Sequence, residues 1–123
     1  KKMQVNQKKT FKFLIVINTF ISFCITWNIF IINNYNILNL NLKTSVIILY
    51  ACLWFYSLYK LYNLSKFGRL IYLCLIFVGY LFNILSNPGG FGKIYYILSL
   101  FEHMVIGSIL TFAYFSKIKL SFK

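Results

Sequence analysis

Aspartate is missing altogether from this chain, and Glu102 is the only carboxylate side chain in 123 residues. His103, directly beside it, is the only histidine, and there is one proline and there are two alanines. Each scarcity excludes something. A nucleophile, base and orienting acid cannot be assembled, so membrane hydrolysis or phosphotransfer is not expected. One histidine cannot supply two axial haem ligands, and a Glu and a His adjacent in sequence point about 100° apart on a helix, which is poor geometry for closing a metal site. Cys24, Cys52 and Cys74 lie inside apolar runs with no C-x-x-C pair, and read as small structural residues. No catalytic residue, metal or cofactor is expected.

The abundant residues point to a bilayer. Sixty per cent of the chain is hydrophobic, 21% aromatic and only 11% charged, where a soluble domain carries about a quarter charged residues. Eighteen Ile, twelve Lys and eleven Asn suggest drift under an AT-rich genome, so lone Asn residues carry little weight. Four runs, at about 13–32, 44–62, 69–85 and 94–115, approach the roughly 20 apolar residues that a helix needs to cross about 30 Å of hydrocarbon. The stretches "NNYNILNLNLK", "NLSKFG" and "SNPGGFG" separate them, the last a Pro-Gly turn signal. Such short connections predict antiparallel neighbours. The expected fold is therefore all-α and integral to a membrane, with four antiparallel transmembrane helices in a small bundle over 13–115. Residues 1–12 would form a basic arm and 116–123 a basic tail. The first run imitates a secretory signal, but its apolar span is too long and no small-residue cleavage site follows, so a retained signal anchor is the better reading.

Charge sets the orientation. Lys1, Lys2, Lys8, Lys9 and Lys12 precede the first run, Lys60, Lys66 and Arg69 lie at the second connection, and Lys117, Lys119 and Lys123 close the chain. Only Lys43 and Lys93 fall on the other side. This asymmetry predicts both termini on the cytoplasmic side, or on the matrix or stromal side if the membrane is organellar. The net charge of +12 then reflects topology and attraction to anionic headgroups, at about 1 kcal/mol per surface cation. Nucleic acid is not an expected partner, because neither an aromatic-basic reading surface nor a basic recognition helix is visible.

Glu102 carries the functional question. It falls about 12 Å below the outer end of the fourth helix, near mid-membrane, where an ionised carboxylate costs at least about 2.5 to 3.5 kcal/mol. It should face protein or water. Measured by depth, Asn28, Tyr50 and Tyr80 on the other three helices fall in the same half, so a polar cluster of Asn28, Tyr50, Tyr80, Glu102 and His103 is geometrically open to the chain. Ser99, His103, Gly107 and Thr111 recur every four residues, and small or weakly polar residues on one face mark helix-helix contact in membranes. Three roles are open to Glu102: a packing lock, an interface with a membrane protein or lipid-like molecule, or a proton- or cation-coupling group. Trp27, Tyr56, Tyr59, Tyr62, Tyr95 and Tyr96 sit near helix ends and read as an interfacial belt, with Trp54 the exception.

Length, four helices and one membrane glutamate look at first like the small multidrug resistance transporters. That family, however, carries its glutamate in the first helix and shows weak charge bias in its dual-topology members. The second half of this chain, through "GRLIY" and "GSILTFAYFSKIKLSF", is similar to small four-helix bacterial inner-membrane proteins of unassigned function. This resemblance implies a bacterial inner membrane and no activity. The expected function is non-enzymatic: association with another membrane protein or a lipid-like ligand, as an accessory, protective or regulatory subunit. The alternative is a minimal oligomeric proton- or cation-coupled transporter using Glu102. Expected partners are membrane lipids, including anionic headgroups, and another membrane protein or further copies of the chain.

Overall fold

The computed structural model describes residues 2–32, 42–85 and 93–123. The expectations for the first and third connections lie outside the described residues. Four α-helices follow in order: α1 (Lys2–Ile32), α2 (Leu42–Tyr62), α3 (Lys66–Leu85) and α4 (Lys93–Phe115), then a short 3-10 helix (Lys117–Ser121). Three of the helices, over Val5–Ile31, Ser45–Tyr62 and Lys93–Phe115, are long and apolar enough to cross a membrane. The described residues are thus almost entirely helical, with the lengths and apolarity of a membrane protein in three of the four helices.

The N-terminal segment expected as an arm is helical. No glycine or proline interrupts α1 from Lys2 onward, so nothing local stops the helix at the first lysines. Its 31 residues extend about 46 Å, longer than the hydrocarbon is thick. The surplus carries Lys8, Lys9 and Lys12 beyond the apolar part.

Packing follows a heptad-like rhythm. The buried residues of α1 are Phe11, Ile15, Asn18, Ser22 and Ile25, spaced alternately by four and three. Trp54, Leu58 and Leu61 on α2 repeat the spacing, and Ile106, Ile109 and Ala113 do so on α4. This is the seam that near-parallel or antiparallel helix axes require, because a 3.5-residue repeat keeps one stripe against its neighbour. The most extensive contacts are α1 on α4 and α2 on α3, with α1 also packing on α2.

The link between α2 and α3 is short and closed by its own backbone bonds. Leu64 adopts φ 56°, its N–H donates to the Leu61 carbonyl at 2.9 Å, and the Ser65 N–H donates to the Lys60 carbonyl at 3.1 Å. This pair of bonds is the Schellman helix stop, here with Leu where Gly is usual. Gly68 then sits against the last turn of α2: a Cβ there would lie 2.6 Å from Lys60 Cβ and 2.7 Å from the Lys60 carbonyl carbon. Only glycine fits so close a backbone approach.

The C-terminal segment expected as a tail is folded onto the bundle. Ser116 caps the 3-10 helix by accepting from the Ile118 N–H at 3.1 Å, and Ile118 and Phe122 are buried. Phe122 meets Phe11 edge-on at 5.8 Å. Two backbone bonds, Lys66 N–H to the Lys123 carbonyl at 2.9 Å and Lys123 N–H to the Leu64 carbonyl at 3.0 Å, pin the segment to the α2–α3 link. Arg69 lies 4.7 Å from the Tyr114 ring and 5.1 Å from that of Phe122, and donates to the Ala113 carbonyl at 3.2 Å. Ile118 and Phe122 therefore close the base of the core, while Leu120 faces outward.

Candidate functional site

Glu102 lies four residues before Ile106, so it continues the buried stripe of α4. Opposite it, Ser22 belongs to the buried stripe of α1. The Ser22 hydroxyl donates to Glu102 Oε1 at 2.5 Å and accepts from Trp54 Nε1 at 2.9 Å. One hydroxyl thereby joins α2, α1 and α4. A serine oxygen can donate once and accept twice, so this directional chain uses its capacity well.

A second polar contact lies one turn away on the same face of α1. The Asn18 amide donates to the Tyr72 hydroxyl at 3.1 Å, and both side chains are fully buried or nearly so. The Tyr72 ring tilts against Trp54 at a centroid distance of 5.1 Å. Trp54 thus links the two contacts, and all four helices contribute to this polar core.

The expected cluster is divided. Tyr50 donates its hydroxyl to the Leu75 carbonyl at 2.9 Å and stacks on Trp54 at 6.1 Å, so it braces the ring that holds Ser22. Tyr80 rests on the His103 ring at 5.3 Å. His103 Nδ1 lies 2.5 Å from the Ser99 carbonyl one turn back, a contact within its own helix. Glu102 and His103 consequently serve different neighbours, Ser22 of α1 and Tyr80 of α3. Asn28 is further along α1, about 9 Å from the level of Ser22. With Phe23, Cys24, Trp27, Ile94 and Leu98 it lines a groove of about 420 Å³ between α1 and α4.

The packing stripe of α4 is displaced by one residue from the expected Ser99, His103, Gly107 and Thr111. Glu102 is inside the contact and His103 at its margin. Gly107 and Thr111 are exposed, and a Cβ on Gly107 would meet nothing within 4 Å. The hydroxyls on this side return to their own helix, Thr111 to the Gly107 carbonyl at 2.9 Å and Ser108 to the Met104 carbonyl at 3.0 Å. Small residues attract a neighbour only where a neighbour exists, and within this chain the Ile106 side faces α1.

Ser22, Trp54, Asn18 and Tyr72 were not among the expected site residues. Two signals for them are present in the sequence. Asn18 and Ser22 fall in the Phe11–Ile25 heptad, and Trp54 is the aromatic residue too deep for a belt. In the structure Trp54 is 7% exposed and Trp27 62%. Tyr56, Tyr59, Tyr62 and Tyr96 are also exposed. Among the described residues no three His, Cys, Asp or Glu side chains converge on a common point. Chemically, the arrangement offers one titratable carboxyl held by a neutral hydroxyl inside a helix junction. Comparison with protein-family models, characterised proteins and solved structures gives no match.

Proposed function

We propose that this is a non-enzymatic multi-pass protein of a bacterial inner membrane that acts by associating with another membrane protein, as an accessory, protective or regulatory subunit. Its four helices would all span, antiparallel, with both termini cytoplasmic. The Lys60–Gly68 approach and the Tyr50–Gly79 approach, where a Cβ would lie 2.6 Å from the Tyr50 hydroxyl, support opposite directions for α2 and α3. The basic residues at one end of the bundle support the orientation.

The observation that carries the association reading is the side of α4 around Gly107. Among the described residues nothing lies within 4 Å of a Cβ placed on Gly107, and the hydroxyls of Ser108 and Thr111 beside it are already satisfied, so this side suits a partner helix that packs by close backbone approach. Glu102 meanwhile serves the internal junction. Gentle purification from the native membrane tests this reading. A stoichiometric membrane partner retained by the parent chain and lost on Gly107→Leu supports it; retention unchanged by Gly107→Leu removes the α4 face as the interface.

A minimal transporter is the competing class. In its favour, the Glu102 carboxyl is held by a neutral hydroxyl, so it can gain or lose a proton without breaking an ion pair at that contact. Proton flux by reconstituted protein, abolished in Glu102→Gln at equal expression, would favour this class over association.

A further inference from the structure

The C-terminal segment turns one side to the core and the other outward. Ile118 and Phe122 are buried, while Leu120 is 77% exposed and Lys117, Lys119 and Lys123 are exposed around it. The backbone bonds of Lys123 with Leu64 and Lys66 bring this segment beside the start of α3, where Lys66 and Phe67 are also exposed. The fold thus gathers like charges from separate parts of the sequence, and no side-chain carboxylate of the chain answers them. Glu102 is the only one, and Ser22 holds it inside the bundle. Other cations at this end lie over rings: Lys12 is 4.5 Å from that of Tyr62, Lys60 5.5 Å from that of Tyr56, and Arg69 faces Tyr114 and Phe122. We infer that the surface formed by Lys66, Lys117 and Lys119 around Phe67 and Leu120 binds the phosphate headgroup of an anionic phospholipid.

Two features specify a lipid among possible anions. Large apolar side chains stand among the lysines, and a surface of both characters matches the boundary between headgroups and acyl chains, where buried apolar area adds to the attraction of anionic lipid. An acidic protein segment would answer the lysines and leave Phe67 and Leu120 unmatched. The surface also lies at the ends of the helices, since Lys66 begins α3 and Lys117 follows the last residue of α4 by two. Both therefore stand at the height of the headgroups once the helices cross the bilayer. A lysine ammonium on its flexible stem reaches a phosphate as a point charge, without the fixed geometry that a guanidinium imposes. The inference rests on the membrane-spanning reading. It is independent of the α4 association, because Gly107 is about 15 Å from Lys117 along the helix.

Native mass spectrometry of the full chain, delipidated in non-ionic detergent and offered phosphatidylglycerol or phosphatidylcholine with identical acyl chains, reads the preference. The parent chain should retain phosphatidylglycerol at least about tenfold better, the effect of about two lysine contacts. Lys66→Gln with Lys119→Gln should bring the ratio to within about twofold of one. Lys9→Gln with Lys93→Gln removes the same charge from the starts of α1 and α4 and should leave the ratio as in the parent. Leu120→Ser should lower retention of both lipids while keeping the preference. All five side chains are exposed, so the variants should fold. Equal retention of the two lipids by the parent, a preference that survives Lys66→Gln with Lys119→Gln, an equal loss in the two double variants, or retention unaffected by Leu120→Ser would each overturn the inference. So would an acidic protein that co-purifies with the parent and is lost with Lys66→Gln and Lys119→Gln, since the surface would then be a protein interface. A chain that stays in solution without detergent would overturn the membrane-spanning reading and the inference with it, an outcome distinct from any lipid ratio.

Discussion

Trp54 and Glu102 are joined through a single atom, Ser22 Oγ, which takes the indole N–H at 2.9 Å and gives its own proton to the carboxyl at 2.5 Å. Helices α2 and α4 are thereby coupled through a residue of α1. Removing the middle of such a chain differs from removing an end, because it leaves both a buried N–H and a carboxyl without their partner.

Ser22→Ala should therefore lower stability by about 1 to 3 kcal/mol, the penalty of unpaired buried polar groups. Glu102→Gln keeps an acceptor for Ser22 and should change stability by less than about 1 kcal/mol. Denaturant titration in detergent, followed through Trp54 in a Trp27→Phe background, measures both. A Ser22→Ala protein as stable as its parent would dissolve the proposed coupling.

Gly68→Ala should force apart the close approach of α3 to the last turn of α2. Its Cβ would fall within 3 Å of backbone atoms of Lys60 and Leu61, and backbone cannot step aside as a side-chain tip can. The expected loss is about 1 to 3 kcal/mol, as for an overpacked core, with faster proteolysis at 63–65. Gly107→Ala, placed where nothing lies within 4 Å, serves as the matched control and should be stable on its own.

Phe122→Ala should act as a core substitution despite its position near the end of the chain. Phe122 is 4% exposed, and truncating a buried aromatic costs about 3 kcal/mol or more. A drop in melting temperature, together with easier proteolysis after Ser116, is the expected result. A freely tolerated Phe122→Ala would return residues 116–123 to the status of a tail.

Cysteine reporters at Asn36 and Gly90 should label from outside intact cells, and those at Ser65 and Ser121 only after permeabilisation. The parent cysteines Cys24, Cys52 and Cys74 need replacing by serine first. Outside labelling at Ser65 would reverse the orientation.

Much of the helical content follows from the sequence alone, because in hydrocarbon a chain segment must satisfy its backbone hydrogen bonds internally, and a run of about 20 apolar residues has a helix as its simplest solution. Apolar length is a local property and can be read residue by residue. The ends were less legible: the basic arm continues α1 because nothing breaks it, and the last eight residues fold back because Ile118 and Phe122 find a core at the base of the bundle. Which side of each helix faces its neighbours was decided by tertiary packing. In a soluble protein polarity marks the outer face, but here lipid and core are both apolar, so α4 could present either the Ser99–Thr111 stripe or the Glu102–Ala113 stripe without penalty from solvent. The choice fell to the stripe on which Glu102 reaches Ser22 and Ile106, Ile109 and Ala113 fit against α1. That fit depends on helices far apart in sequence, and no single run of the chain contains it.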